Sequence, residues 1–220
     1  MTKNDKEESK DSRKQKKMTK ATSKEAEKEE SDPLEELSEQ EAKAMKDLER
    51  KLGKSIPVLE EFNTDTFGVF IEDNKVKRIN MMGKGLKTLP ESIGNLSSLK
   101  ILDLGSNNLR DLPDSIGNLS SLEEFNLSTN TLEYIPRTIG NLSSLKQLDL
   151  ESNDLKSIPE SLGYLNSLRE LNLEGNYLEE VPESLENLTS LRKLNLEHND
   201  IEELPEPVED LESKGVRVKK

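Results

Sequence analysis

Cysteine and tryptophan are absent from the 220 residues, histidine occurs once, and aromatic residues make up only 3%. Without cysteine there is no disulfide framework, no thiolate zinc site and no cysteine nucleophile. That absence fits a reducing compartment. Apolar runs are a few residues long, far short of the ~20 that cross a bilayer. The polar start Met1-Thr2-Lys3-Asn4-Asp5 has no signal-peptide core, so the expectation is a soluble, cytoplasmic chain without membrane insertion. A hydrophobic share of 31% against 35% charged residues is poor material for one large compact core. The net charge of −13 repels phosphate backbones and anionic lipid, so nucleic acid is not an expected partner.

What is present falls into segments. Residues 1–32 hold ten Lys/Arg and nine Asp/Glu with almost nothing apolar to bury, and read as a disordered charged tail. Residues 33–75 read as a cap. Asp32-Pro33-Leu34-Glu35 is a helix-start signal, and Ser38-Glu39-Gln40-Glu41 is a second one that would start the helix late. Leu34, Leu37, Ala44, Met45, Leu48 and Leu52 then share one stripe, ended by Gly53 and Pro57. Phe67–Glu72 and Lys75–Met81, joined by Asp73-Asn74, read as a β-hairpin.

The strongest signal is self-similarity with a 23-residue period over residues 76–211. Six units start at Val76, Leu99, Leu122, Leu145, Leu168 and Leu191. Apolar residues recur at unit positions 1, 4, 6, 11, 14, 18 and 21, with Asn at 9 and Pro at 15. Positions 3–5 suit a short strand, with 4 and 6 facing inward and 3, 5 and 7 outward. The turn after each strand strips backbone groups of partners, and a buried Asn can both donate to and accept from them. Asn107, Asn130, Asn153, Asn176 and Asn199 are therefore expected to form an internal ladder. Each Pro ends the strand pairing and starts a return segment that packs its leucines back on the strand. In the first unit Lys84 replaces the Asn, as in a capping unit. After Leu211 the pattern fails, and residues 212–220 offer one capping strand, Gly215-Val216-Arg217-Val218, whose flanking Lys219-Lys220 discourages edge pairing.

The spacing Leu-x-x-Leu-x-Leu-x-x-Asn-x-Leu-x-x-Leu-Pro resembles the leucine-rich-repeat family. Its 23-residue Leu-Pro form is similar to the Ras-group leucine-rich repeats, intracellular proteins that include Ras-binding scaffolds and scribble-type polarity scaffolds. The resemblance implies an α/β right-handed solenoid with parallel strands on its concave face and a helix-plus-hairpin cap at the N-terminus. It also implies a protein-binding role and suggests a non-catalytic signalling scaffold; it does not name the partner, and a small GTPase of the Ras class is the most specific one it suggests.

Residue variation points to the outward strand face. Gly94–Leu99, Gly117–Leu122 and Gly140–Leu145 repeat one hexapeptide, whereas position 3 reads Arg78, Ile101, Glu124, Gln147, Glu170 and Lys193. Position 8 also varies, from Gly83 through Ser106, Thr129, Ser152 and Gly175 to His198. Position 2 is mostly basic, position 7 turns acidic at Glu151, Glu174 and Glu197, and position 5 holds Asn or Asp throughout. The expected partner-binding residues are Arg78, Ile101, Asp103, Asn126, Asp149, Glu151, Asn172, Glu174, Tyr177, Asn195, Glu197 and His198. A solvated face or a purely structural or adhesive element would also carry such variation. Phe125 takes a core slot, and Tyr134 and Tyr164 are expected to pack on the return side. No catalytic residue, cofactor or metal site is expected, because His198 is the sole imidazole and no nucleophile elbow or phosphate loop occurs. The five Asn-x-Ser/Thr sequences read as repeat grammar. The chain is expected to act as a monomer. Reversing Glu151, Glu174 and Glu197 to Lys is expected to weaken partner binding and its salt dependence with the fold intact, measured by titration at low and high salt; unchanged affinity rejects the acidic column as a contact.

Overall fold

The computed structural model describes residues 33–61 and 66–220. The expected tail, residues 1–32, and the first expected helix cap, Asp32, lie outside the described residues. The helix α1 (Glu39–Leu52) starts at the second signal rather than the first. The Ser38 side chain accepts from the Glu41 N–H at 3.3 Å and donates to the Glu41 carboxylate at 3.2 Å, a reciprocal cap that fixes the first turn. Residues 33–37, including Leu34 and the buried Leu37, form a turn ahead of it. Gly53 closes the helix in the left-handed conformation with φ 70°.

β1 (Gly68–Glu72) and β2 (Lys75–Asn80) form the expected antiparallel hairpin. Asp73 and Asn74 both take positive φ, as a tight hairpin turn requires. The outer edge of β1 is covered by residues 57–59, which exchange backbone hydrogen bonds with Val69. From β2 the sheet continues in parallel through β3 (Ile101–Asp103), β4 (Glu124–Asn126), β5 (Gln147–Asp149), β6 (Glu170–Asn172) and β7 (Lys193–Asn195) to β8 (Arg217–Lys219). Position 3 pairs with position 3, 4 with 4 and 5 with 5 along the whole array from β2 to β7. β8 is the expected C-terminal strand, with Val218 opposite Leu194.

The asparagine ladder forms, and it works between coils as well as within each one. Asn130 donates to the Leu127 carbonyl of its own coil and to the Leu104 carbonyl of the preceding coil, each at 3.0 Å. Its Oδ1 accepts the Leu109 N–H, also of the preceding coil, at 3.0 Å. Asn153, Asn176 and Asn199 repeat the arrangement. Asn107 extends it to the first coil, accepting from the Lys84 and Leu86 N–H groups and donating to Met81. That is why Lys84 can stand where an Asn would. Coil one has no preceding coil to serve, and its own turn is served by coil two.

Each Pro at position 15 has extended ψ and opens a 3₁₀ segment in five of the six units; after Pro205 the segment is a short α-helix, α2 (Glu206–Glu209). The inward leucines, Phe125 and the residues at positions 18 and 21 form one continuous core with the inner face of α1. Adjacent 3₁₀ segments touch through a glycine at position 19. A Cβ on Gly140 would lie 2.4 Å from the Ser161 carbonyl oxygen, and one on Gly117 would lie 2.4 Å from that of Thr138. Where the following segment is α2 instead, Glu186 occupies the same position.

This close approach makes Gly140→Ala costly, because backbone rather than a flexible side chain must yield. The variant is expected to lose about 2 kcal/mol of unfolding free energy, measured by chemical denaturation. Glu186→Ala, at the same unit position, is expected to leave stability within about 0.5 kcal/mol.

Candidate functional site

The outward side chains of β3–β8 line a groove of about 530 Å³ across the sheet. Two rows of residues form it, because positions 3 and 5 share the outward face of each strand. The position-3 row runs Ile101, Glu124, Gln147, Glu170, Lys193 and Arg217. The position-5 row runs Asp103, Asn126, Asp149, Asn172, Asn195 and Lys219. Leucines at position 4 and Phe125, only 1% exposed, sit beneath and keep the floor rigid.

The position-5 side chains also hold the backbone. Asp103 accepts the Gly105 N–H at 2.9 Å, Asp149 that of Glu151 at 3.0 Å, and Asn195 that of Glu197 at 3.2 Å. Asn126 and Asn172 do the same for Ser128 and Glu174. Each caps the end of its strand two residues on, which Asp and Asn do equally well. The choice of Asn or Asp therefore leaves the turn alone and sets the charge on the face and whether the side chain can also donate a hydrogen bond.

The acidic column at position 7 is tied to this row. Asn172 donates to Glu151 at 3.0 Å, Asn195 donates to Glu174 at 2.7 Å, and Lys219 donates to Glu197 at 2.9 Å. Reversing all three glutamates thus removes two hydrogen bonds and an ion pair along with the charge, so Glu→Gln is the substitution that isolates the charge. The Glu197 carboxylate beside Lys219 raises the affinity of that ammonium for its proton. In the basic column at position 2, the interruption at Glu123 is an ion pair with Lys146, and the Lys146 ammonium holds the Glu123 carboxyl below its usual range. Glu170 and Lys193 pair within the groove at 2.8 Å.

Of the expected binding residues, Ile101, Asp103, Asn126, Asp149, Asn172 and Asn195 come together in the groove. Arg78, Glu151, Glu174, Glu197, Tyr177 and His198 lie outside its lining. His198 stands 4.0 Å from Glu174 and adopts φ 59°. Position 8 is left-handed in every coil, including Ser106, Thr129 and Ser152, so its mixture of Gly and polar residues answers a backbone demand. Glu124, Gln147, Glu170, Lys193, Arg217 and Lys219 complete the groove without having been expected as contacts. The varying position-3 row was the signal for the first four. Tyr134 and Tyr164 do not pack on the return side: they are 55% and 65% exposed, because positions 13 and 20 face outward from the coil.

The Asp149 carboxyl in the groove is pushed above its usual range. Burial is the largest cause, and the charges of Glu151 and Asp103 add to it, against lowering hydrogen bonds from the Glu151 N–H and Asn172. A carboxyl whose proton affinity rises on folding weakens the fold as pH climbs through the carboxylate range. Asp149→Asn is expected to raise stability at neutral pH, with the gain vanishing below about pH 3, where both states of the carboxyl are protonated. Thermal denaturation of both proteins across that range checks it.

Comparison with known proteins agrees with this geometry. A leucine-rich repeat region model matches residues 74–175, and a second leucine rich repeat model matches residues 155–201. A leucine-rich-repeat protein of Leptospira interrogans is 31% identical, with 66% of this chain and 42% of that one covered and a TM-score of 0.53. The chain thus spans less than half of that protein's length. The leucine-rich-repeat ectodomain of the receptor kinase SOBIR1 from Arabidopsis thaliana is 29% identical, with 77% and 97% covered and a TM-score of 0.63. No curated protein matches the chain. Among the described residues no helix is long and apolar enough to cross a membrane, and no group of His, Cys, Asp or Glu could hold a metal ion. With the two models together matching residues 74–201 and two solved leucine-rich-repeat structures similar to the chain, the chain belongs to the leucine-rich-repeat family.

Proposed function

We propose that the chain is a non-catalytic scaffold that holds a partner protein on the sheet groove. Leucine-rich repeats generally mediate contact between proteins, and one observation carries that role to this face. The groove lining varies from strand to strand, while the ladder, the prolines and the return segments beneath it repeat almost unchanged. A rigid floor with a variable surface lowers the ordering cost of binding and leaves specificity to side chains. Residues 76–211 form the binding unit in this reading, with 33–75 and 212–220 as its caps.

The Leu-Pro form of the repeat supports a cytoplasmic signalling role with a Ras-type small GTPase as partner, bound by a monomer. Purified Ras-type GTPases in both nucleotide states test the reading directly. Binding is expected to weaken about tenfold or more when Gln147 and Glu170 are both replaced by Arg, which crowds the groove and reverses a charge. It is expected to stay unchanged when Tyr134 and Tyr164 on the return side become Ser. The opposite pattern removes the groove from the proposal, and no binding in either nucleotide state removes the GTPase.

A further inference from the structure

Charge is unevenly spent along the groove. At β7 and β8 the cations Lys193 and Lys219 are held by Glu170 and Glu197, which leaves Arg217 as a guanidinium with no ion-pair partner among the described residues. At β3–β5 the balance is reversed. Asp103, Glu124 and Asp149 all face outward, and none has an ion pair among the described residues. Asp103 and Asp149 flank Asn126 in the position-5 row, and Glu124 lies two residues before Asn126 on the same face. The three carboxylates thus surround one neutral amide, and that amide is engaged, donating to Asp103 at 3.0 Å and accepting from Ser128. Arg78 stands on β2, beyond Ile101, and Lys100 and Lys146 act on Glu123.

Between the two ends the position-3 row is neutral, with Gln147 and the Glu170–Lys193 pair. Glu124 and Arg217 are four strands apart in register, roughly 19 Å at about 4.8 Å per strand. An extended peptide at about 3.3 Å per residue crosses that distance in about six residues. Half-buried Ile101 at the acidic end offers apolar surface for the stem of a long cationic side chain.

We propose that the groove seats an extended polypeptide segment with a lysine or arginine over Asp103, Glu124 and Asp149 and a carboxylate about six residues away over Arg217. The inference rests on the sheet groove being the binding face, and it names the chemistry of what binds there. The raised proton affinity of Asp149 agrees with it, since burial and like charge destabilise that carboxylate until a cation arrives.

Panning a phage-displayed library of random peptides against the full chain tests the proposal. Recovered sequences are expected to pair Lys or Arg with Asp or Glu about six residues apart, in either order. The variant D103N/E124Q/D149N keeps the strand-capping oxygens, because Asn fills the same row at 126, 172 and 195. Selected peptides are expected to bind it about tenfold more weakly, and Arg217→Glu is expected to shift the acidic preference to a basic one. Recovery of sequences without the spaced pair, failure to recover any binder, or full affinity for the triple variant overturns the proposal. A photo-crosslinker at Gln147, compared with one at Tyr164, separates the two levels. Peptides captured at Gln147 without charge preference leave the binding face standing and reject the chemistry, whereas capture only at Tyr164 rejects the face as well.

Discussion

The structure depends on how buried backbone groups find partners at each turn between strand and return segment. A solenoid turns inside its own core, where water cannot serve the freed carbonyls and N–H groups, and an unpaired buried group costs about 1–3 kcal/mol. One amide side chain per coil serves a carbonyl of its own coil and a carbonyl and an N–H of the preceding one, as Asn130 does for Leu127, Leu104 and Leu109. Satisfaction is therefore a property of neighbouring coils. This gives a polar counterpart to the apolar argument that no coil buries its leucines alone, and both press toward the same 23-residue register.

That register fixes what the outer face can do. With every strand paired position for position, side chains at 3 and 5 fall into straight rows, and any charge on them meets its like or its opposite one strand away. The rows manage this by alternating amides with carboxylates and by placing Lys193 beside Glu170, just as the position-2 column places Lys146 beside Glu123. A face so constrained has few charges left uncompensated. Asp103, Glu124, Asp149 and Arg217 are conspicuous for that reason, rather than for their number.

The repeat made most of the fold legible. Strand positions, the inward leucines, the hairpin, the ladder residues and the closing strand follow from periodicities that local physics enforces. Helix α1 was less so, because two cap signals lay six residues apart and only the reciprocal Ser38–Glu41 bonds decide between them. The ladder's inter-coil reach was not readable either, since spacing shows that an Asn recurs but not which coil it serves. Tyr134 and Tyr164 were misplaced because an aromatic residue on an unvarying side suggests packing, whereas their coil positions point outward.

The candidate site was half legible, and the reason is that one pattern served two purposes. The Asn/Asp column looked like a recognition stripe, yet each member caps its own strand. Position 8 looked variable for recognition, yet its left-handed backbone governs what it accepts. Position 3 carries no such backbone duty, and its row is one of the two that form the groove. The residues that the proposed binding would use are those left after the structural claims on each column are met: the position-3 row, together with the charge, though not the hydrogen bonding, of Asp103 and Asp149. Asp149 carries that logic furthest. Asparagine would cap its strand equally well and avoid a half-buried charge, so the carboxylate weakens the fold at neutral pH, and the proposed cationic ligand is what would relieve that cost.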